Sequence, residues 1–186
     1  MRTSLAAIAQ PNIFGMHRVA WTLFLLFATS AGIGAEIESG RPVEAFRITT
    51  LTGVRITPAS QRGRILVINY WATWCPPCRE EMPAIEAFYS KYRRSGVDVI
   101  AVSLDDRSDL ESVRNVMASY SFPAALATDS DLAAFGRVRH VPATFVIDRD
   151  GMLRRNGWAD AGSIDFKVLE KAVLPWLSPV PGQSAQ

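Results

Sequence analysis

Two seven-residue runs, Ile65–Trp71 and Val97–Ser103, are apolar almost throughout and are separated by one helix-length stretch. A strand on a half-solvated sheet alternates apolar with polar residues, so continuous runs of this kind are expected to be strands buried on both faces. Strands joined through a helix run parallel, and the crossover is right-handed. That constraint limits the chain to an α/β layer architecture before any other residue is considered.

The remaining patterns extend this frame. Val43–Leu51 and Val54–Thr57, split by Thr52-Gly53, predict a short N-terminal hairpin. The helical pattern from Cys75 to about Arg94 stops near Gly96. Ser108 and Glu111 have capping-box spacing and open a helix to about Tyr120. Phe122–Thr128 reads as a strand and Asp131–Phe135 as a short helix. Thr144–Ile147 is a strand whose partner, Met152–Asn156, follows the Asp150-Gly151 turn. Ser163 caps a last helix to about Trp176. The expectation is a three-layer α/β/α domain over residues 43–178 with a mixed central sheet, an N-terminal hairpin and an additional central strand–helix segment. Residues 36–42 read as a linker and 179–186 as a flexible tail.

Residues 19–35 carry no charge, follow His17-Arg18 and end in small residues. That layout predicts an export signal over 1–35, either cleaved or retained as an N-terminal membrane anchor. As a helix the run would span about 25 Å, a little short of a ~30 Å hydrocarbon layer. Met16 begins a well-proportioned signal by itself, which would make residues 1–15 an upstream extension. The folded part is expected in the periplasm or cell envelope. A net charge of +2, with basic residues scattered along the chain, argues against a nucleic-acid partner.

The chain has two cysteines, and both lie in Trp74-Cys75-Pro76-Pro77-Cys78. A staple for stability would join distant segments; closing so short a loop is worth only about 2 kcal/mol. Tetrahedral zinc needs four ligands, and outside the export signal His140 is the one histidine to join the pair. A three-ligand Cu(I) site of Cys75, Cys78 and His140, as in a copper-handling chaperone, stays open as an alternative. Inert core thiols would not flank a pair of prolines at a strand-to-helix junction. Dithiol–disulfide exchange explains the placement best. A thiolate at Cys75 meets the unpaired amides at the head of a helix, which lowers its pKa. Pro76 and Pro77 suit a first turn that has no use for their missing N–H groups. Cys78, one turn along, can then displace whatever Cys75 captures.

With these residues in place the sequence resembles the thioredoxin fold, and more narrowly the TlpA/ResA-like extracytoplasmic thiol-disulfide oxidoreductases, from about Pro42 to Leu177. Trp74 through Cys78 matches the family's WCxxC motif, and Pro83 its active-site-helix proline. Val141-Pro142-Ala143-Thr144-Phe145 matches the cis-proline loop that faces the cysteines and pairs with substrate backbone. Tyr120–Asp129 matches the family's extra strand segment. The resemblance implies a redox disulfide between Cys75 and Cys78 and substrate contacts from Trp74, Val141 and Pro142. It implies disulfide-containing protein substrates, such as apocytochrome c or copper-site cysteines, a membrane thiol-electron transporter as reductant, and no cofactor. Asn69 departs from plain thioredoxin, which has an aspartate there, so the proton acceptor for Cys78 must be another group. Glu81 has the right helical spacing; spacing alone leaves it equally a first-turn charge like Glu80, and the resemblance favours the proton-transfer role. Trp74 either shields Cys75 and offers substrate a flat surface or simply packs. Trp71 is expected in the core, Arg79 in solvent and His140 on an exposed loop.

Pro-Pro between the cysteines supplies no donor to a Cys75 thiolate, so the couple is expected to be comparatively reducing. A peroxiredoxin-type peroxidase is the further alternative, but its Pro-x-x-x-Thr/Ser-x-x-Cys context is missing before Cys75.

Overall fold

Helix, strand and turn are placed by a computed structural model that describes residues 37–160 and 162–177. The expected export signal or anchor over 1–35 and the expected tail over 179–186 lie outside the described residues. Among the described residues no helix is long and apolar enough to cross a membrane.

The N-terminal hairpin pairs β1 (Ile48–Thr49) with β2 (Arg55–Ile56), Ile48 opposite Ile56. The first apolar run is β3 (Ile65–Trp71), buried along its whole length. It leads into α1 (Pro76–Tyr92), and Gly96, at φ 86°, takes up the left-handed conformation that ends the helical segment at little cost to glycine. The second run is β4 (Val97–Ser103), parallel to β3 in register Ile65↔Val97 through Trp71↔Ser103. Next come α2 (Leu110–Met117) and β5 (Ala124–Leu126), which adds to β4 in parallel. Then β6 (Ala143–Ile147) lies antiparallel to β3, β7 (Leu153–Arg155) pairs with β6, and α3 (Phe166–Val173) closes the fold. The sheet order is β5-β4-β3-β6-β7, the mixed sheet that the two apolar runs and the turn at Asp150-Gly151 imply.

The sheet separates two cores. On one face Val67, Trp71 and Val99 pack against Met82, Ile85 and Phe88 of α1, Val113 and Met117 of α2, and Leu169 and Val173 of α3. On the other, Leu66, Ile68 and Tyr70 meet Val43, Phe46, Ile48, Phe135 and Trp158. This second layer is therefore made of hairpin and loop, with aromatic rings as its filling: Tyr70 lies 5.6 Å from Phe145 and 5.5 Å from Trp158 between centroids.

Several boundaries differ from expectation, each for a local reason. Asp131–Phe135 yields one 3-10 turn, Ala133–Phe135, because the segment serves to bury Phe135 and then turns at Gly136. The strand expected over 122–128 is paired only at Ala124–Leu126, after which Ala127–Asp129 turns. The Ser108 capping box is not used; a 3-10 turn, Arg107–Asp109, precedes α2. Asp165, not Ser163, caps α3, accepting from the Val168 amide at 2.8 Å. Residues 36–42, expected as a linker, run along the β7 edge from Ile37 onward. The Gly40 amide donates to the Leu153 carbonyl (2.7 Å), the Leu153 amide to the Arg41 carbonyl (2.9 Å), and Asn156 Nδ2 to the Ile37 carbonyl (2.6 Å). An edge strand leaves a row of unpaired backbone groups, and this segment satisfies them.

Candidate active site

The chain leaves β3 at Trp71, turns through Ala72–Trp74 and enters α1 at Pro76, which makes Cys75 the N-cap residue of that helix. The Cys78 amide donates to Cys75 Sγ at 3.3 Å. Pro76 and Pro77 occupy the first turn, where an N–H would have no carbonyl to meet. Cys75 and Cys78 form a disulfide with their Cα atoms 5.4 Å apart. What exposure the pair has belongs to Cys75, 5% against 0% for Cys78. The arrangement can accept electrons at an edge of the core, with the Cys78 amide of the first turn facing the outer sulfur.

Glu81 lies one turn beyond Cys78 on the buried face of α1 and is 4% exposed. Its Oε1 accepts from the Ile164 amide at 2.8 Å, while Oε2 meets no hydrogen-bond partner among the described residues. Burial pushes its carboxyl up from the usual 4.5 to about 7; the Ile164 amide and the Arg155 charge oppose that shift in part. Helical spacing puts Glu81 beside Cys78, and the segment before α3 supplies its hydrogen-bond donor. Glu80 is exposed, but α1 begins at Pro76 and has no acidic residue in its first turn, so the first-turn role expected for Glu80 is not met.

Asn69 is fully buried; its Nδ2 donates to Thr144 Oγ1 at 3.0 Å, across the β3–β6 pairing. Trp71 is core, as expected. Trp74 is 66% exposed, a flat apolar ring next to Cys75 in the chain. Arg79 is exposed.

The Val141–Pro142 peptide bond is cis. Ala143 pairs opposite Tyr70, so Pro142 comes level with the end of β3 where the chain turns toward Cys75. Val141 packs on the cluster that contains both cysteines. His140 is exposed, its ring edge-on to Trp158 at 5.7 Å. Among the described residues no group of three or more His, Cys, Asp or Glu is arranged to hold a metal ion.

Two neighbours of the site escaped sequence reasoning. Asp105 is 3% exposed and accepts from the Thr73 amide (2.9 Å) and the Thr73 hydroxyl (2.6 Å), just before Trp74-Cys75. A signal for it existed, since a carboxylate directly after a buried parallel strand lies at the sheet end where α/β folds place their sites. Gly157 has no such signal. A β-carbon there would lie 2.8 Å from the Thr144 amide nitrogen and 3.1 Å from the Ala143 carbonyl carbon, both immovable backbone. Gly157→Ala is expected to push β6 and the cis-proline loop aside, at about 1–3 kcal/mol. Denaturant unfolding checks this; an unchanged midpoint would refute it.

Residues 39–156 match the AhpC/TSA family model. The chain is 33% identical over 135 residues to the thiol-disulfide oxidoreductase ResA of Bacillus thuringiensis subsp. konkukian, spanning 72% of this chain and 75% of that one. It is 30% identical over 148 residues to ResA of Bacillus cereus, spanning 73% and 84%. Among solved structures, a thiol:disulfide interchange protein of the thioredoxin family from Chlorobium tepidum matches with a TM-score of 0.64 at 25% identity, covering 77% of this chain and 100% of that one. On this extent of shared sequence and fold, the chain belongs to the AhpC/TSA family, as a ResA-like thiol-disulfide oxidoreductase.

Proposed function

We propose that this oxidoreductase works as an exported protein-disulfide reductase, with Cys75 as nucleophile, Cys78 as resolving thiol and Glu81 as proton acceptor. The observation that carries the reading is the placement of Cys75: it caps α1, it is the outer member of the pair, and an exposed indole stands beside it. In the forward step Cys75 thiolate attacks a client disulfide. The client S–S bond breaks, a Cys75–client mixed disulfide forms, and the first client thiolate leaves and takes a proton from water. Cys78 then gives its proton to Glu81 and attacks Cys75 Sγ. The second client thiolate leaves, and the Cys75–Cys78 disulfide is regenerated, two electrons having passed to the client.

Trp74 supplies apolar contact to the client, and Val141 and Pro142 pair with its backbone as it lies against the cysteines. Pro76 and Pro77 add no donor that would favour the thiolate form, which supports reduction over oxidation as the direction of flow. The charge-free run over 19–35 supports export to the periplasm or cell envelope, cleaved or anchored, with the catalytic domain ending near residue 178. There a membrane thiol-electron transporter would recharge the dithiol, and clients would include apocytochrome c or copper-site cysteines. Insulin reduction by dithiothreitol, followed by turbidity, tests the activity: the protein should shorten the lag several-fold, and an identical trace without it would end this reading.

A further inference from the structure

We propose that Asp105 is a positioning residue for the exchange reaction: through Thr73 it holds the Ala72–Trp74 turn so that Cys75 Sγ stays aligned with the head of α1. The inference rests on the reading of Cys75 as the nucleophile. Asp105 lies two residues past β4, and both its carboxylate oxygens are used. Oδ2 accepts from the Thr73 amide at 2.9 Å and from the Ser103 hydroxyl at 2.5 Å, and Oδ1 accepts from the Thr73 hydroxyl at 2.6 Å. The Asp105 amide in turn donates to Ser103 Oγ at 3.0 Å, and Ser103 is fully buried. The clasp is therefore built into the end of β4, the strand in register with β3 up to Trp71. Two backbone bonds bracket it: the Leu104 amide to the Trp71 carbonyl (2.9 Å) and the Cys75 amide to the Ala72 carbonyl (3.1 Å).

A side-chain tie matters here because the backbone bonds at the two ends of the turn leave Thr73 and Trp74 between them without one. The Trp74 side chain stands in solvent, and Pro76 and Pro77 have no N–H to give. The helix-terminal field falls off within one turn, so a turn free to tilt would move the sulfur out of it. A buried carboxylate accepting three hydrogen bonds is among the stronger ties available to a loop. Its charge works against a nearby thiolate, so the informative variant keeps the charge and removes one of the two bonds between Thr73 and Asp105.

Thr73→Val does that by removing the hydroxyl while leaving the Asp105 carboxylate. Alkylation of Cys75 in the reduced full-length protein, read by mass spectrometry across pH, is the measurement. Thr73→Val is expected to slow it about fivefold at pH 7, the equivalent of losing a typical N-cap interaction, and to move its midpoint upward. The potential against glutathione should move in the reducing direction, because the reduced form loses thiolate stabilisation. Thr73→Ser, which keeps the hydroxyl, should behave as wild type. Ser103→Ala, which loosens the clasp without touching the turn, should shift the profile the same way and serves if Thr73→Val does not fold. Variants with lowered unfolding midpoints but an unmoved alkylation profile and potential would make Asp105 a structural tie and overturn the proposal. Wild-type Cys75 that is inert at neutral pH would overturn both this proposal and the function on which it rests.

Discussion

Cys75→Ser is expected to abolish protein-disulfide reduction, leaving only the dithiothreitol background in the insulin assay. Serine has nearly the shape of cysteine but does not ionise near neutrality, so no attack can begin. Cys78→Ser is expected to fail one step later. Cys75 still captures a client, but with no second thiol the mixed disulfide persists and can be isolated from non-reducing gels. The two failures differ because the two sulfurs do: Cys75 caps α1 at the edge of the core, whereas Cys78 lies inside it. Incubating the Cys78→Ser protein with envelope extracts should yield discrete client adducts that dithiothreitol releases. Full activity in Cys75→Ser, or equal trapping by both variants, would reverse the assignment.

Glu81→Gln is expected to slow resolution of the mixed disulfide at neutral pH by about a hundredfold, the lower end of what a positioned general base contributes. Gln keeps the size and can still accept the Ile164 amide, but it cannot take the Cys78 proton. The pH profile of Cys78 alkylation in the Cys75→Ser background should lose its inflection near 7, where burial holds the Glu81 carboxyl. Arg155 and the Ile164 amide, the groups that oppose the shift, are unchanged by the substitution. The same carboxyl affects stability with a definite sign. Its folded pKa is raised, so folding binds a proton between the usual 4.5 and about 7. The contribution is fully present below 4.5 and is lost as pH rises through 7. Glu81→Gln removes that dependence and is expected to gain on the order of 2 kcal/mol relative to wild type at pH 8 compared with pH 4.5. Denaturant midpoints of the oxidised proteins at the two pH values measure it. Parallel curves would show that Glu81 titrates as an ordinary surface carboxylate.

Much of the fold was legible because it is written in local pattern. Ile65–Trp71 and Val97–Ser103 are apolar on both faces, and only a strand covered on both sides satisfies that. Gly96 and Asp150-Gly151 mark chain reversals that any tertiary context would keep. The short segments differ from expectation for the opposite reason. Asp131–Phe135 and Phe122–Thr128 hold too few residues for periodicity to outweigh packing, so the burial of Phe135 and the reach of β5 along β4 decided their shape.

At the active site the chain by itself determined that two sulfurs stand at a strand-to-helix junction with prolines between them and a carboxylate one turn on. Spacing along one helix does not depend on the rest of the molecule. Only the tertiary structure decided that Glu81 is buried and accepts from the Ile164 amide, that Asn69 is held by Thr144 and that Asp105 grips Thr73. Those pairs are 83, 75 and 32 residues apart. The free energy of a charge or a hydrogen bond depends on what surrounds it, and those surroundings come from distant segments that no local pattern specifies.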